Sequence, residues 1–347
     1  MSAQDKKIYF VANARMPTKK AHGIHIAKMC EAFIESGAQV VLVVPARGVG
    51  TGLKEFYGLR VEVPTVVLPT IVLKRYKRLG YALMGASFML EYVLYLWWRR
   101  LCGEKFILYT ADIDSFAHML LPWCGAVAAE FHSPKPAGAL SRYFFRHAKI
   151  IATNALIAGE LKKTFGVGAL VEPNGVDESF FNLSGQGGGV LYVGRLYKWK
   201  GLEVLPAAHA GVHVIGGTKE EFESIFGDVG DLRFSEVEPA QVPAQLARAD
   251  VLLLMGTAKN QESDRYTSPM KVFEYLATGK PTVASATQAL KSLIPQSSVV
   301  WCAPDDPRAL AEAIQSALRN PPDSSAGVAL AREHTWRKRA ERILHYV

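Results

Sequence analysis

The sequence contains little cysteine and lacks the patterns in which cysteine usually carries function. Its four cysteines, Cys30, Cys102, Cys124 and Cys302, are dispersed over 347 residues and form no Cys-x-x-Cys pair. This spacing argues against a zinc site and favours reduced thiols in a cytosolic protein. The N-terminal residues also lack the long apolar core of a signal peptide. We therefore expect a cytoplasmic protein.

An excess of acidic residues is also missing. The net charge is +8, with 49% hydrophobic and 21% charged residues, which is ordinary for a globular protein long enough to form two domains. A basic balance suits anionic partners such as phosphorylated substrates or an acidic membrane surface. Because no recognition motif is interleaved with the basic residues, nucleic acid is not an expected partner.

Long hydrophobic runs are absent except for residues 79–98, which are flanked by basic clusters at 74–78 and 99–100. About twenty apolar residues could cross a bilayer, but Glu91 in the middle and basic residues at both ends argue against a span. Two interpretations are favoured over a span: a long buried helix, or a helix lying on an anionic membrane surface, with segment 74–100 at the headgroups.

The order of the remaining apolar segments predicts an α/β protein. A strand at 7–13, a helical pattern at 26–34 and a β-branched run at 40–44 form a βαβ unit. The unit recurs after residue 169, with a strand at 189–193 and a helix at 201–210. We expect two doubly wound Rossmann-like domains facing a central cleft, and ligands at the carboxyl ends of the strands.

The stretch from Tyr266 to Ser285 carries the most functional information. Ser268 and Pro269 are typical N-cap and first-helix residues, and Gly279 is typical of a helix end. A helix N-terminus can hold a phosphate. Glu274 follows among apolar residues, where an unpaired carboxylate would be costly. A helix N-terminus that can bind phosphate, beside a carboxylate that can accept hydrogen bonds from hydroxyl groups, indicates a sugar-nucleotide pocket.

Four further motifs join this stretch along the chain: Asn174-Gly-Val-Asp177, Val193-Gly-Arg-Leu-Tyr-Lys-Trp-Lys-Gly201, Gly216-Gly217, and Trp336 with Arg339 and Ala340 near the end. In this order and spacing they resemble family-4 glycosyltransferases of the GT-B fold. The resemblance covers nearly the whole chain and is strongest from about 170 to 285.

The resemblance implies three parts of the chain. Residues 1–168 would form an acceptor-side Rossmann-like domain, and residues 169–331 the domain that binds a nucleoside diphosphate sugar. Residues 332–347 would form a helix that crosses back to the first domain.

The resemblance also implies catalytic roles. Arg195 and Lys200 match the residues that neutralise the departing diphosphate, which is sound because fixed cations stabilise developing negative charge. His132 matches a histidine near the donor sugar. Glu274 matches the second of two family glutamates and would accept hydrogen bonds from the ribose hydroxyls.

Further donor contacts follow from the same match. The implied donor-binding set is Gly23, Arg195, Lys200, Gly216, Thr267, Ser268, Pro269, Lys271 and Glu274. No metal and no cofactor are expected, because basic side chains and a helix dipole would neutralise the diphosphate. Asp112-Ile-Asp114 resembles a metal-binding Asp-x-Asp of another transferase fold, but a strand-end turn or an acceptor contact explains it better.

One position departs from the family. The first glutamate of its pair would fall at position 266, where this chain has Tyr266. Glu262 and Asp264 are the nearest carboxylates in sequence. Because the missing glutamate is expected to contact the transferred sugar, we expect Tyr266 to affect which donor is bound and whether the protein is active.

The sequence therefore predicts a retaining glycosyltransferase, of hexosyltransferase type, acting on a saccharide or lipid-linked acceptor in polysaccharide or glycolipid assembly. It would be cytoplasmic or peripheral at the inner face of the membrane. Two alternatives remain: a non-catalytic sugar-nucleotide binding protein, suggested by Tyr266, and a sugar-nucleotide epimerase of the same fold.

Overall fold

A computed structural model describes residues 6–47, 52–71, 77–111 and 126–347. The predicted turn or acceptor contact at 112–114 and the basic residues 74–76 lie outside these ranges. The described chain divides into two units, one formed by residues 1–172 and 336–347 and the other by residues 173–335. The sequence prediction placed these boundaries at 168/169 and 331/332.

The first unit contains a seven-stranded parallel sheet in the order β3-β2-β1-β4-β5-β6-β7. Its strands are β1 Lys7–Val11, β2 Gln39–Pro45, β3 Thr65–Leu68, β4 Ile107–Thr110, β5 Ala126–Phe131, β6 Ala148–Ala152 and β7 Leu170–Val171.

Six helices belong to the first unit in the described ranges. They are α1 Ala21–Glu35, α2 Leu53–Tyr57, α3 Lys77–Leu101, α4 Ala139–His147, α5 Ala155–Phe165 and, after the second unit, α12 Trp336–Tyr346, which packs on α1. Tyr9, Phe10 and Leu42 are fully buried, as expected for a parallel sheet covered on both faces.

The second unit repeats the architecture with a six-stranded parallel sheet in the order β10-β9-β8-β11-β12-β13. Its strands are β8 Val190–Val193, β9 His213–Ile215, β10 Arg233–Ser235, β11 Val251–Leu254, β12 Thr282–Ser285 and β13 Val300–Cys302.

The helices of the second unit connect these parallel strands. They are α6 Lys219–Phe226, α7 Val242–Arg248, α8 Lys271–Thr278, α9 Gln288–Leu293, α10 Pro307–Arg319 and α11 Ser325–Glu333. Local chemistry sets several boundaries. Asp306 caps α10 by accepting from the amides of Arg308 and Ala309, and Gly279 ends α8 with φ +68°.

Two predicted elements differ in the structure. The helix predicted at 201–210 is instead a series of short 3-10 turns at Leu202–Val204 and Pro206–Ala208. Pro206 lacks an amide hydrogen, which prevents one continuous α-helix through this segment. The helix predicted to begin at Pro269 begins at Lys271, because Val272 donates to the Pro269 carbonyl in a tighter first turn.

The predicted long helix at 79–98 is present as α3. None of the helices in the described ranges combines the length and the apolar character needed to cross a membrane.

Candidate functional site

The candidate site of the second unit lies where β8, β9 and β11 end. Gly194 follows β8 and Gly216 follows β9, and the Gly194 amide donates to the Ile215 carbonyl at 2.7 Å. Gly216 has φ +111°, and a Cβ there would lie 3.1 Å from the carbonyl carbon and oxygen of Gly194. Glycine at both positions therefore allows the two strand ends to approach closely.

α8 begins beside this edge, because the chain must return from the end of β11 to the start of the parallel strand β12. Its first residue, Lys271, reaches back over Gly194, where a Cβ would lie 2.5 Å from the Lys271 Nζ. The same ammonium lies 4.1 Å from the centre of the Tyr192 ring. Tyr192 thus supports a half-buried cation over the ends of the strands.

Two more cations lie on the segment after β8. Arg195 is exposed, and the half-buried Lys200 places its Nζ 5.4 Å from the ring centres of both Tyr197 and Trp199. Burial, together with the charge of Arg195, lowers the pKa of Lys200 to about 8. The three cations, Arg195, Lys200 and Lys271, form a positive cluster at this edge.

The cations influence one another electrostatically. Burial lowers the pKa of Lys271 well below its usual value, and the charge of Lys200 lowers it further, while Glu274 opposes the change. Like charges held together are unfavourable unless an anion joins them. The cluster is therefore suited to a polyanionic ligand.

Glu274 lies one turn along α8 from Lys271. Its pKa is raised to about 7, mainly by burial. The charge of Lys271 opposes this rise, and the charge of Asp177 adds to it. A half-buried carboxylate with this pKa can accept hydrogen bonds from hydroxyl groups near neutral pH.

Two buried polar atoms near the start of α8 lack a hydrogen-bond partner: Ser268 Oγ, from the residues just before the helix, and Asn174 Oδ1, from the start of the second unit. The Asn174 side-chain amide donates to the Ser268 carbonyl, which places the two side chains side by side. Buried polar atoms are normally paired. These two atoms without a partner therefore indicate a place where polar groups of a ligand can bind.

Thr267 and Pro269 flank Ser268, but their backbone groups have less capacity to bind a ligand. The Thr267 amide already donates to the Glu262 carbonyl at 2.9 Å. Pro269 has no amide hydrogen, and its carbonyl accepts from Val272. Of the predicted contacts before Lys271, the Ser268 side chain is the one best placed to bind a ligand.

Tyr266 ends a π-helical turn, Glu262–Tyr266, and is 8% exposed. Gln261 donates to its hydroxyl at 3.3 Å. Asp264 instead accepts two hydrogen bonds from Gln288 at the start of α9. Asp264 thus makes a structural contact with the start of α9.

In the first unit, His132 follows β5 and is tied to a buried carboxylate. Its Nε2 lies 3.0 Å from Glu130 Oε1, and His25 Nε2 lies 3.2 Å from the same oxygen. Arg339 Nη2 lies 2.8 Å from that oxygen, and the Tyr109 hydroxyl donates to Glu130 Oε2. Glu130 therefore holds four side chains together.

The neighbours of Glu130 determine its charge. Burial alone would raise the pKa of Glu130, but Arg339, His25 and a hydrogen bond from His132 hold it well below its usual value. Burial lowers the pKa of His25, and the Glu130 carboxylate opposes this effect.

His25, Glu130 and His132 could also ligate a metal ion, since their ligand atoms lie within 4.8 Å of one another. The buried Arg339 guanidinium, however, already neutralises the shared Glu130 oxygen. A divalent cation beside that guanidinium would be repelled. An ion-pair network that orients His132 accounts for the group better than a metal site does.

Gly23 lies within α1, where its lack of a side chain has a packing role. A Cβ there would lie 2.5 Å from Thr18 Cγ2 and 2.6 Å from the Tyr57 hydroxyl. The Thr18 amide also donates to that hydroxyl at 2.7 Å. This packing explains Gly23 structurally, and its contact with a donor stays a prediction.

The structure thus brings Arg195, Lys200, Gly216, Lys271 and Glu274 to one edge of the second unit, with Ser268 nearby. Tyr192 and the role of Arg339 in fixing Glu130 were not evident from sequence. Both depend on residues that lie far apart in the chain, and no local pattern relates them.

Residues 187–320 match the family model described as glycosyl transferases group 1. The resemblance to a family of glycosyltransferases is confirmed, and membership of family 4 in particular stays a prediction. No curated protein is a detectable sequence relative of the chain.

Three solved structures share the fold over almost their full length. Sucrose-phosphate synthase from Thermosynechococcus elongatus is 18% identical with a TM-score of 0.70, and the alignment covers 97% of each chain. HepE of Anabaena, in complex with UDP-glucose, is 15% identical with a TM-score of 0.67, covering 98% of this chain and 100% of HepE. WaaG, a glycosyltransferase involved in lipopolysaccharide biosynthesis, is 14% identical with a TM-score of 0.63, covering 97% and 98%. The predicted α/β GT-B fold is confirmed.

Proposed function

We propose that this protein, whose second unit matches the glycosyl transferases group 1 and whose fold is GT-B, is a retaining glycosyltransferase. It would move a sugar from a nucleoside diphosphate sugar to an acceptor hydroxyl. The observation that carries the proposal is the positive cluster of Arg195, Lys200 and Lys271 at the carboxyl edge of the second sheet, one helical turn from Glu274.

The positive cluster supplies the electrostatic part of this reaction. Breaking the bond between sugar and diphosphate places negative charge on the leaving phosphate oxygens. Arg195 and Lys200 would stabilise that charge, and Lys271 adds a third cation held in place by Tyr192. No protein nucleophile is needed if the acceptor attacks the same face that the diphosphate leaves, which is the retaining chemistry that the resemblance implies.

Glu274 would bind the nucleoside. Its carboxylate can accept hydrogen bonds from both ribose hydroxyls, and such a site rejects analogues that lack them because a half-buried carboxylate would be left unpaired. The side chains of Ser268 and Asn174 offer unpaired polar atoms beside the start of α8. HepE, which has the same fold, was solved with UDP-glucose, and this supports a nucleoside diphosphate sugar as the donor here.

His132 is the candidate catalytic residue of the first unit. Glu130 fixes its orientation, since Nε2 of the imidazole lies 3.0 Å from the carboxylate and the other groups hold that carboxylate in place. The proposed acceptor is a saccharide or lipid-linked saccharide hydroxyl, and the reaction requires no metal.

Tyr266 favours a second candidate function, that of a sugar-nucleotide binding protein without transferase activity. A buried tyrosine stands where the resemblance implies a glutamate that contacts the transferred sugar. Such a protein would bind the donor through the same positive cluster but would not turn it over.

A transfer assay separates the two functions. The protein would be incubated with radiolabelled nucleoside diphosphate sugars and a panel of saccharide and lipid-linked acceptors, and the product's anomeric configuration would be determined by NMR. Transfer with retained configuration supports the proposal. Donor binding without hydrolysis or transfer to any acceptor identifies the non-catalytic function, and an inverted product contradicts retention. Arg195→Ala is the control, since it should abolish transfer without unfolding the protein.

A further inference from the structure

α3 carries a row of large apolar side chains that face solvent. The exposed fractions of these side chains run from 40% for Leu83 to 81% for Leu101. At about 100° per residue, the row occupies one face of the helix. We call this row the α3 stripe; its members are Leu83, Leu90, Leu94, Trp97, Trp98 and Leu101.

The α3 stripe is not part of the hydrophobic core. The opposite face of α3 supplies Phe88, Tyr92 and Leu96, which are 1%, 4% and 0% exposed and pack onto the unit. The helix is therefore anchored by one apolar face, and none of the residues that the structure describes covers the second apolar face. Contiguous exposed apolar surface of this kind marks an interaction site.

The exposed surface continues beyond the helix. Ile71, 58% exposed, lies beside α3, because its amide donates to Ser87 Oγ at 3.0 Å. The stripe on α3 is thus part of a broader apolar surface that also includes Ile71.

The distribution of residues around the stripe indicates which partner covers it. Trp97 and Trp98 are half exposed at the C-terminal end of the stripe, and they are followed by Arg99, which pairs with Glu104, and by the exposed Arg100. At the other end, α3 begins with two further basic residues, Lys77 and Arg78. Tryptophans and cations at the ends of an apolar helix face are typical of helices that lie in the headgroup region of a membrane. A second protein surface would have no need for cations at both ends.

We propose that the α3 stripe docks on an anionic lipid bilayer, with the axis of α3 parallel to the membrane plane. The leucines and tryptophans enter the boundary between headgroups and acyl chains, and the basic ends contact lipid phosphates. The net charge of +8 adds long-range attraction to such a surface. This proposal does not require the transfer reaction.

Flotation with lipid vesicles tests the proposal. The full-length protein would be mixed with vesicles of phosphatidylcholine alone, or of phosphatidylcholine with 30–40% phosphatidylglycerol (about one charge for every three lipids, an anionic surface that attracts basic segments). Wild type should float with the anionic vesicles, less so at high salt, and at least tenfold less with the neutral vesicles. The double variant Leu90→Glu, Leu94→Glu should bind the anionic vesicles at least tenfold less than wild type.

Leu318→Glu is the matched control, because Leu318 is 46% exposed on α10 of the other unit and outside the stripe. It should bind vesicles like wild type. Binding of nucleoside diphosphates to all three proteins shows that the second unit is intact and keeps the test separate from the proposed reaction. A stripe variant that floats like wild type, or a wild type that does not float, overturns the proposal.

Tryptophan fluorescence locates the contact. Brominated lipids quench tryptophans that enter the bilayer, so wild type should be quenched and the variant Trp97→Phe with Trp98→Phe should lose this quenching. Size-exclusion chromatography addresses the alternative partner. A wild-type dimer that Leu90→Glu with Leu94→Glu converts to monomer, without vesicle binding, would assign the stripe to a second copy of the chain and overturn the lipid proposal.

Discussion

Arg339 Nη2 lies 2.8 Å from Glu130 Oε1, and neither side chain is exposed to solvent. The pair joins α12 to β5 within the first unit, and Arg339 also donates to the Glu172 carbonyl at 3.2 Å. Glu130 in turn holds His132. A residue in the last helix of the chain therefore orients the candidate catalytic histidine.

Removal of Arg339 should destabilise the protein strongly. Arg339→Met leaves Glu130 buried without its cation, and breaking a buried pair in this way lowers the free energy of unfolding by about 3–5 kcal/mol. Urea denaturation measures the change. Glu130→Gln combined with Arg339→Met should be less destabilised than Arg339→Met alone, since no unpaired charge remains. Additive losses would contradict a direct coupling of the two residues.

Acid should weaken the same pair. The pKa of Glu130 in the folded protein lies well below its usual value of 4.5. The pair therefore stabilises the protein fully above pH 4.5, and this stability is lost as the pH falls. Stability of wild type measured between pH 6 and pH 3 should fall more steeply than that of the Glu130→Gln, Arg339→Met double variant.

The candidate site should have a narrow pH optimum. Lys200, with a pKa of about 8, loses its charge as the pH rises through that value, and Glu274, with a pKa of about 7, becomes protonated as the pH falls through its own. In the free enzyme kcat/KM should therefore be greatest between these values. Lys200→Arg should reduce the alkaline decline, because arginine keeps its charge whereas Lys271, whose pKa is also lowered, still titrates. Glu274→Gln should remove the acid decline. A flat profile for wild type would contradict both assignments.

His132 and His147, an exposed histidine of the same unit, allow a matched comparison. His132→Asn should lower kcat by about 10²-fold, the usual size for a positioned acid–base or polar catalytic group. Nucleoside diphosphate affinity should not change. His147 is exposed on α4 and its Nδ1 lies 2.7 Å from the Tyr143 carbonyl, so His147→Asn should leave kcat within twofold. Equal effects of the two substitutions would remove His132 from the reaction.

Two glycines should respond to alanine in opposite directions. Gly216→Ala adds a Cβ 3.1 Å from the Gly194 backbone at φ +111°, so it should destabilise by about 1–3 kcal/mol and weaken diphosphate binding. Gly159 lies inside α5, and a Cβ there would meet nothing within 4 Å. Gly159→Ala should raise stability by about 0.5–1 kcal/mol. Thermal unfolding of both variants provides the measurement.

The sequence predicted those features that depend on local patterns. Buried β-branched runs gave the parallel strands, and Gly279 marked the end of α8, because these signals lie in neighbouring residues. The motif from Val193 to Gly201 located the segment of Arg195 and Lys200 correctly, although Pro206 prevented the helix predicted after it.

Contacts between distant residues could not be predicted in this way. No local pattern places the Tyr192 ring under the Lys271 ammonium or the Arg339 guanidinium on Glu130, since these contacts form only when the helices that carry the two cations pack in the folded units. The exposed side of α3 was likewise ambiguous, because its sequence is apolar on both faces and only packing shows that Phe88, Tyr92 and Leu96 face the core.

The central claim is that the positive cluster binds the diphosphate of the donor. Calorimetry with nucleoside mono- and diphosphates tests it most directly, after a screen has identified the preferred base. Wild type should prefer the diphosphate by at least tenfold, and Lys198→Ala, an exposed lysine of the same segment, should keep that preference. Arg195→Ala with Lys200→Ala should bind the two nucleotides almost equally. An unchanged preference in that double variant would contradict the account.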